Sequence, residues 1–382
     1  MPPPLPSNPR ASLLQGVKAS IAASLFGVLI LFLSCLLLWK NEGRAIKTAR
    51  GLAEGSAAVI SVDSRKTDPK NEAKLVHLAG PVTTTAPLED AAFGIQQKAL
   101  RLVRTVEMYQ WREKSDSVRK TGGGDADTGT TLTYKYEKAW DSTPLDSSRY
   151  NQRQGHENPP AWRFRGETWL ARDARLDAYH LPDRLIAKLD GDVPLPLGQG
   201  VVDFKEPNPP QNSGNTLYFG ANPSVPQVGD LRVTYRILQP GPFSVIGRQS
   251  GDSITPYPTK AGTDLELVAT GLVDAGAMFK RAVAQNNAFT WGLRIFGLAV
   301  MFAGTRLLFN PLAALGRFVP FISRLLQAGI TIFCAVLAAM LSLVVMGTAW
   351  FAYRPLLTIV LLMVAAALGI GVGMKYRKTA IG

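Results

Sequence analysis

Three short stretches of this chain, all between residues 104 and 159, gather side chains capable of chemistry or recognition. In the first, Arg104-Thr105-Val106-Glu107-Met108-Tyr109-Gln110-Trp111-Arg112, the period of two is that of a β-strand. Val106 and Met108 share one face, while Glu107, Tyr109 and Trp111 share the other. An acid set between Tyr and Trp suits a partner surface, because those rings bring large contact area with few rotatable bonds. The same pattern fits a central strand buried on both faces, with Glu107 paired to an arginine. The second stretch is Gly122-Gly123-Gly124-Asp125-Ala126-Asp127-Thr128-Gly129. It lacks the Lys-Ser/Thr ending of a phosphate loop, and no glutamate follows where a calcium loop needs one, so a flexible hairpin tip explains it better. In the third, Asp146-Ser147-Ser148 and Gly155-His156-Glu157-Asn158-Pro159 place hydroxyl, imidazole and carboxylate groups within a dozen residues. A serine hydrolase needs them converging beside an oxyanion hole, and no Gly-x-Ser-x-Gly occurs in the chain. Turn chemistry accounts for this cluster.

Metal and cofactor chemistry find little support. His77, His156 and His180 are widely spaced, and Cys35 and Cys334 both fall in apolar runs. No paired ligand motif results, the region between the runs can hold no disulfide, and no cofactor is expected.

The elements that must position these groups are mostly strands. Alternation is clear in Leu132-Tyr134-Tyr136 with Trp140, and in Leu231-Val233-Tyr235-Ile237 opposite Arg232, Thr234 and Arg236. Further strands are expected at 57–62, 74–79, 102–112, 168–176, 216–220 and 265–269, with helices at 182–189 and from Leu272 to about Asn287. Regular helical crossovers are missing, so the region reads as a strand-rich, antiparallel α+β domain. Pro and Gly crowd 191–229, a long loop or a possible subdivision of the domain.

Charge distribution sets the wider architecture. All 29 acidic residues lie between Glu42 and Asp274, and the apolar runs outside are flanked by Lys and Arg alone. Residues 40–290 carry 32 basic residues against those 29 acids, so most of the net charge of +13 belongs to membrane-flanking positions. A nucleic-acid partner is disfavoured, since the basic excess is not concentrated on the domain. Residues 19–39 form an uncharged run of 21, close to the roughly 20 needed to cross a bilayer. The run reads as an uncleaved anchor. Further spans are expected at 288–309, where Arg294 and Arg306 can snorkel to headgroups, at 325–349 and at 355–374. The expected fold is therefore an integral membrane α-helical protein. It has four transmembrane helices, one N-terminal plus three C-terminal, and a large strand-rich α+β extracytoplasmic domain at 40–287. Residues 1–18, 310–324 and 375–382 would be cytoplasmic, with 350–354 a short outer turn. That orientation follows the positive-inside bias, and puts the domain in the periplasm of a bacterium or the lumen of a eukaryotic compartment.

Just past the first run, Ala45, Ile46, Ala49 and Leu52 suit a short amphipathic helix near the membrane surface, stopped around Gly51 or Gly55. In it Glu42 would pair with Arg44 or Lys47. Ala19, Ala23 and Gly27, like Ala365, Gly369 and Gly373, place small residues on one helix face, for packing within the bundle or for self-association. None of the spans contains Asp, Glu or His, which disfavours proton-coupled transport.

Taken together in order, several segments resemble the LUMA, or transmembrane protein 43, family. They are Asn41–Ala45, Leu75–Gly80, Val106–Trp111, Asp146-Ser147-Ser148 with Gly155–Pro159, Leu217–Gly220, Gly229–Val233, and Trp350 through Tyr353-Arg354-Pro355. The resemblance implies cytoplasmic (or nucleoplasmic) termini, self-association and a role in organising membrane protein complexes. It supplies no catalytic residues. Animal members have lamins and emerin as partners, but the outer domain here has no Asn-x-Ser/Thr acceptor outside the proline-blocked Asn222-Pro223-Ser224, as in a bacterial member, so nuclear partners do not transfer. The expected protein is a non-enzymatic membrane scaffold whose partners are further copies of itself, other membrane proteins and the lipid bilayer. Its interaction residues would be Glu42, Arg44, Glu107, Tyr109 and Trp111. The alternatives are a membrane-bound enzyme acting on lipid or cell-envelope substrate through Glu107, Asp146 or His156, and an oligomeric channel.

Overall fold

The computed structural model describes residues 9–119, 130–197, 210–311, 320–353 and 363. The glycine patch at 122–129, Pro207 and Pro209, and the expected fourth span apart from Met363 lie outside the described residues. The chain divides into a helical unit (Met1–Ala57, Pro258–Leu265 and Phe279–Gly382) and a strand-rich unit (Ala58–Tyr257 and Glu266–Met278).

Three helices of the described residues are long and apolar enough to cross a membrane. They are helix α1 (Pro9–Ala58), helix α3 (Ala275–Leu308) and helix α4 (Pro320–Tyr353); the short helix α2 (Asp183–Lys188) belongs to the strand-rich unit. The separate surface helix expected to stop at Gly51 or Gly55 does not exist, because α1 runs unbroken through both glycines. Close approach explains them: a Cβ on Gly51 would lie 2.2 Å from Thr263 Oγ1, and one on Gly55 2.1 Å from Leu265 Cδ2. Glycine here admits neighbours instead of terminating the helix.

Small residues also set the seam between α1 and α3. Leu38, fully buried, packs into the notch at Gly297, and Leu31 packs against Gly304. Ser34 donates to the Gly297 carbonyl at 2.8 Å, and Ser24 to that of Leu308 at 3.1 Å. A Cβ on Gly27 would stand 2.7 Å from the Leu308 nitrogen and 2.9 Å from the Gly304 oxygen. Gly27 thus serves packing within the chain. Both obstacles are backbone, so Gly27→Leu is expected to destabilise the helical unit by about 1–3 kcal/mol through overpacking. Gly292→Leu, which meets open space, should be near neutral. Denaturant titration of the two variants in micelles checks this.

In the strand-rich unit the expected α+β architecture is present as two largely antiparallel sheets. The longer strands are β1 (Leu75–Thr83), β2 (Arg101–Arg119), β3 (Thr130–Asp141), β4 (Glu167–Leu170), β5 (Thr216–Phe219), β6 (Leu231–Leu238), β7 (Gly241–Ser250), β8 (Ser253–Thr255) and β9 (Leu267–Thr270). In one sheet β7 pairs with β1, β8 and β9, matching Val245 with Leu78. Leu185 and Ile186 of α2 close the core over Val76, Leu78 and Val245. Sequence periodicity overlooks β7 because Phe243 to Gly247 are all buried, so no polar face alternates with the apolar one.

The other sheet centres on β2, flanked by β6 on one side and by β3 and β4 on the other. Its inner face carries Leu102, Val106, Met108, Leu231 and Val233. A buried ion pair enters this core: Arg104, 7% exposed, donates to Asp90 Oδ2 at 2.5 Å, and the Tyr235 hydroxyl donates to the same oxygen at 2.6 Å. Burial, followed by that hydrogen bond and the Asp90 charge, drives the Tyr235 phenol far above its ordinary pKa.

Candidate functional site

Two of the five residues singled out by sequence lie in the helical unit, where α1, α3 and α4 meet at a buried polar junction. Glu42 is 1% exposed. Its carboxylate accepts from Arg294 Nε at 2.6 Å and Nη2 at 2.8 Å, a fork-shaped pair, and from Trp350 Nε1 at 2.8 Å. One residue therefore ties three helices together. The expected pairing of Glu42 with Arg44 or Lys47 is replaced by this pair across helices, and Arg294 turns inward instead of snorkelling. The unbroken course of α1 is the reason, since it keeps Glu42 on the helix face that packs against α3.

The neighbours of Glu42 each have a place. Arg44 donates to Asn286 Oδ1 and Thr290 Oγ1, both at 2.9 Å, and to Asn41 Oδ1 at 3.3 Å, with its guanidinium 4.7 Å from the Phe289 ring centroid. Asn41 donates back to the Thr290 carbonyl at 3.1 Å, and Asn286 to that of Ala45 at 3.2 Å. A Cβ on Gly43 would fall 2.5 Å from the Tyr353 ring. Sequence reasoning missed Asn286, Thr290 and Trp350 as members of this junction. The available signal was Arg294, a cation inside an otherwise apolar run with an acid, Glu42, just past another run.

The other three residues lie on the outer face of the β2 sheet. Glu107, Tyr109 and Trp111 are half-buried, whereas Val106 and Met108 beneath them are buried. The strand is central, as one of the two sequence readings had it, and Glu107 is indeed bound to an arginine, but this face is not closed over. Glu107 sits opposite Arg232 of β6 and accepts from its Nε at 2.6 Å and Nη2 at 2.9 Å. Arg232 also lies 4.7 Å from the ring of Trp140 on β3, which contacts Tyr109 at 5.3 Å between ring centroids. Lys138 stands 4.8 Å over Trp111. The result is a row of Tyr, Trp and Arg side chains fixed by mutual contacts before any partner arrives.

The hydroxyl–imidazole cluster resolves into structural turns. Asp146 Oδ1 accepts from the nitrogen and hydroxyl of Ser148, at 3.0 and 2.6 Å. Ser147 Oγ accepts from the Asn158 nitrogen at 2.9 Å. The Asn158 side chain then mimics a strand partner: it accepts from the Trp111 nitrogen at 2.7 Å and donates to the Trp111 oxygen at 2.9 Å. His156 stacks on Tyr136, with centroids 3.8 Å apart, and meets Trp111 edge-on at 4.6 Å. Local desolvation and then the Glu113 hydrogen bond hold the Tyr136 phenol above its ordinary pKa. These bonds form no relay linking Asp146, Ser148 and His156, so the cluster buttresses the outer face at Trp111. Among the described residues, no group of three His, Cys, Asp or Glu is arranged to hold a metal ion.

The family model for transmembrane protein 43 matches residues 108–355. Transmembrane protein 43 of Rattus norvegicus is 34% identical over 362 residues, covering 92% of this chain and 89% of the relative. The Homo sapiens protein is 34% identical over 355 residues (90% and 87%), and the Drosophila melanogaster homolog 28% over 377 (94% and 96%). No solved structure gives a significant match. With a third of its residues identical to the rat and human proteins along most of their length, the chain belongs to the transmembrane protein 43 family.

Proposed function

We propose that this protein is a non-enzymatic, self-associating integral membrane protein that organises membrane protein complexes, with its strand-rich unit on the extracytoplasmic side. The observation that carries the proposal is the outer face of the β2 sheet. Tyr109, Trp111, Trp140 and Arg232 are the residue types enriched where binding energy concentrates, and their cross-strand contacts lower the ordering cost of association. Glu107 and Arg232 add a fixed pair of opposite charges that sets register between partners. The small-residue face at Gly27 gives no support, because α3 already occupies it. The orientation rests on the positive-inside bias and on the confinement of acids to the central region.

Trp111→Ala combined with Tyr109→Ala tests this reading. Hot-spot side chains each contribute about 2 kcal/mol or more, so losing both should raise the dimer dissociation constant of full-length protein in micelles by roughly several hundredfold. An unchanged constant, with the melting of the strand-rich unit also unchanged, contradicts the proposal.

A further inference from the structure

A groove with a volume of about 510 Å³ lies between α3 and α4, within the range of roughly 300–1,000 Å³ common to ligand pockets. Ile295 and Leu298 form one wall, and Ala339, Leu343, Met346 and Gly347 the other. A smaller polar chamber of about 100 Å³, lined by Glu42, Asn286, Asn287 and Thr290, shares Trp291, Arg294 and Trp350 with the groove. The two spaces therefore meet at a ring of two tryptophans and an arginine, side chains that favour the membrane interface.

Length identifies the occupant. Ala339 and Trp350 are the extremes of the α4 wall, about 16 Å apart at 1.5 Å per residue. That is close to half of the roughly 30 Å hydrocarbon thickness, the depth of a single leaflet. A transmembrane helix would require a seat about twice as long. An acyl chain of one leaflet fits end to end, with its headgroup at the level of Trp350 and the polar chamber. Charge identifies the headgroup. Glu42 and Arg294 line the chamber as a neutral pair, and Arg44, hydrogen-bonded to Asn286 and Thr290 of the same lining, brings the junction to one net positive charge.

We propose that the groove and chamber together form a binding site for one anionic phospholipid, its acyl chain between α3 and α4 and its phosphate facing the Arg294 and Trp350 ring. The site is independent of the association surface on the β2 sheet. Gly347 provides a clean test, because it lines the groove and a Cβ added there meets nothing within 4 Å.

Full-length protein is reconstituted in equimolar phosphatidylglycerol and phosphatidylcholine, and the lipid retained is measured by native mass spectrometry. The expected result is one retained phosphatidylglycerol, favoured at least tenfold over phosphatidylcholine. Gly347→Phe should lower retention at least tenfold, while Gly329→Phe, also in open space but off the groove, leaves it unchanged. A photo-crosslinker at Leu343 of the otherwise unaltered protein should yield a lipid adduct, a readout that stands even if Gly347→Phe fails to fold. Equal retention of both lipids, full retention in a folded Gly347→Phe protein, or capture of residues 355–374 or of a second copy at Leu343 would overturn the proposal.

Discussion

Replacing Glu42 with alanine should unfold or loosen the helical unit more than any other single truncation in it. The substitution leaves the Arg294 guanidinium buried without its carboxylate and removes the acceptor of the Trp350 indole. Breaking a buried ion pair from one side costs about 3–5 kcal/mol, because the remaining charge keeps its desolvation penalty. Arg294→Ala should cost a similar amount for the mirror-image reason. Losing both partners together is another matter: Glu42→Leu with Arg294→Met leaves no orphan charge and should recover most of the loss. The two single changes are therefore strongly non-additive, with a coupling of about 2 kcal/mol or more. Denaturant titration in micelles reads the cycle directly. Additive single effects, or a Glu42→Ala protein as stable as the parent, would show that the carboxylate does not join the three helices.

The strand-rich unit has a counterpart in Asp90. Its carboxylate, 2% exposed, receives both Arg104 and the Tyr235 hydroxyl inside the β2-sheet core. Asp90→Ala strands a buried cation and a buried phenol at once, with an expected cost again of about 3–5 kcal/mol. For a unit of this size each kcal/mol shifts the melting midpoint by about 2–4 °C, so a fall of roughly 6–20 °C should appear in thermal melts. Glu167 also accepts from Arg104, at 3.1 Å, but it is largely exposed and replaces little of the lost stabilisation. Glu167→Ala should accordingly shift the midpoint by no more than a few degrees. Equal effects of the two substitutions would place the stabilisation outside the buried pair.

How far the sequence foretold these features depends on whether a residue acts along its own element or across to another. The face assignment of β2 follows from strand periodicity alone, so Val106 and Met108 inside, with Glu107, Tyr109 and Trp111 outside, are readable from spacing. The identity of the Glu107 partner is not: Arg232 lies 125 residues away and meets it only through the β2–β6 register. Glu42 shows the same limit more sharply. Nearby Arg44 and Lys47, two and five residues on, offered a local pairing, whereas Arg294, 252 residues on, forms the forked ion pair. Nothing in one-dimensional pattern ranks a distant cation above a neighbouring one. Gly51 and Gly55 misled for a related reason, since a glycine that ends a helix and one that admits a neighbour look alike until the neighbour is known. Strand β7 was hidden by burial on both faces, which erases alternation.

Self-association outside the cytoplasm is the claim on which the functional account turns. A membrane-impermeant, amine-reactive cross-linker applied to sealed membrane vesicles with the extracytoplasmic side outward, followed by peptide mass spectrometry, tests it most directly. The account predicts covalent dimers or larger species whose links join Lys138 or Lys135 of one copy to the strand-rich unit of another. A solely monomeric product, or lysines of that unit that react only after the membrane is opened, would contradict it.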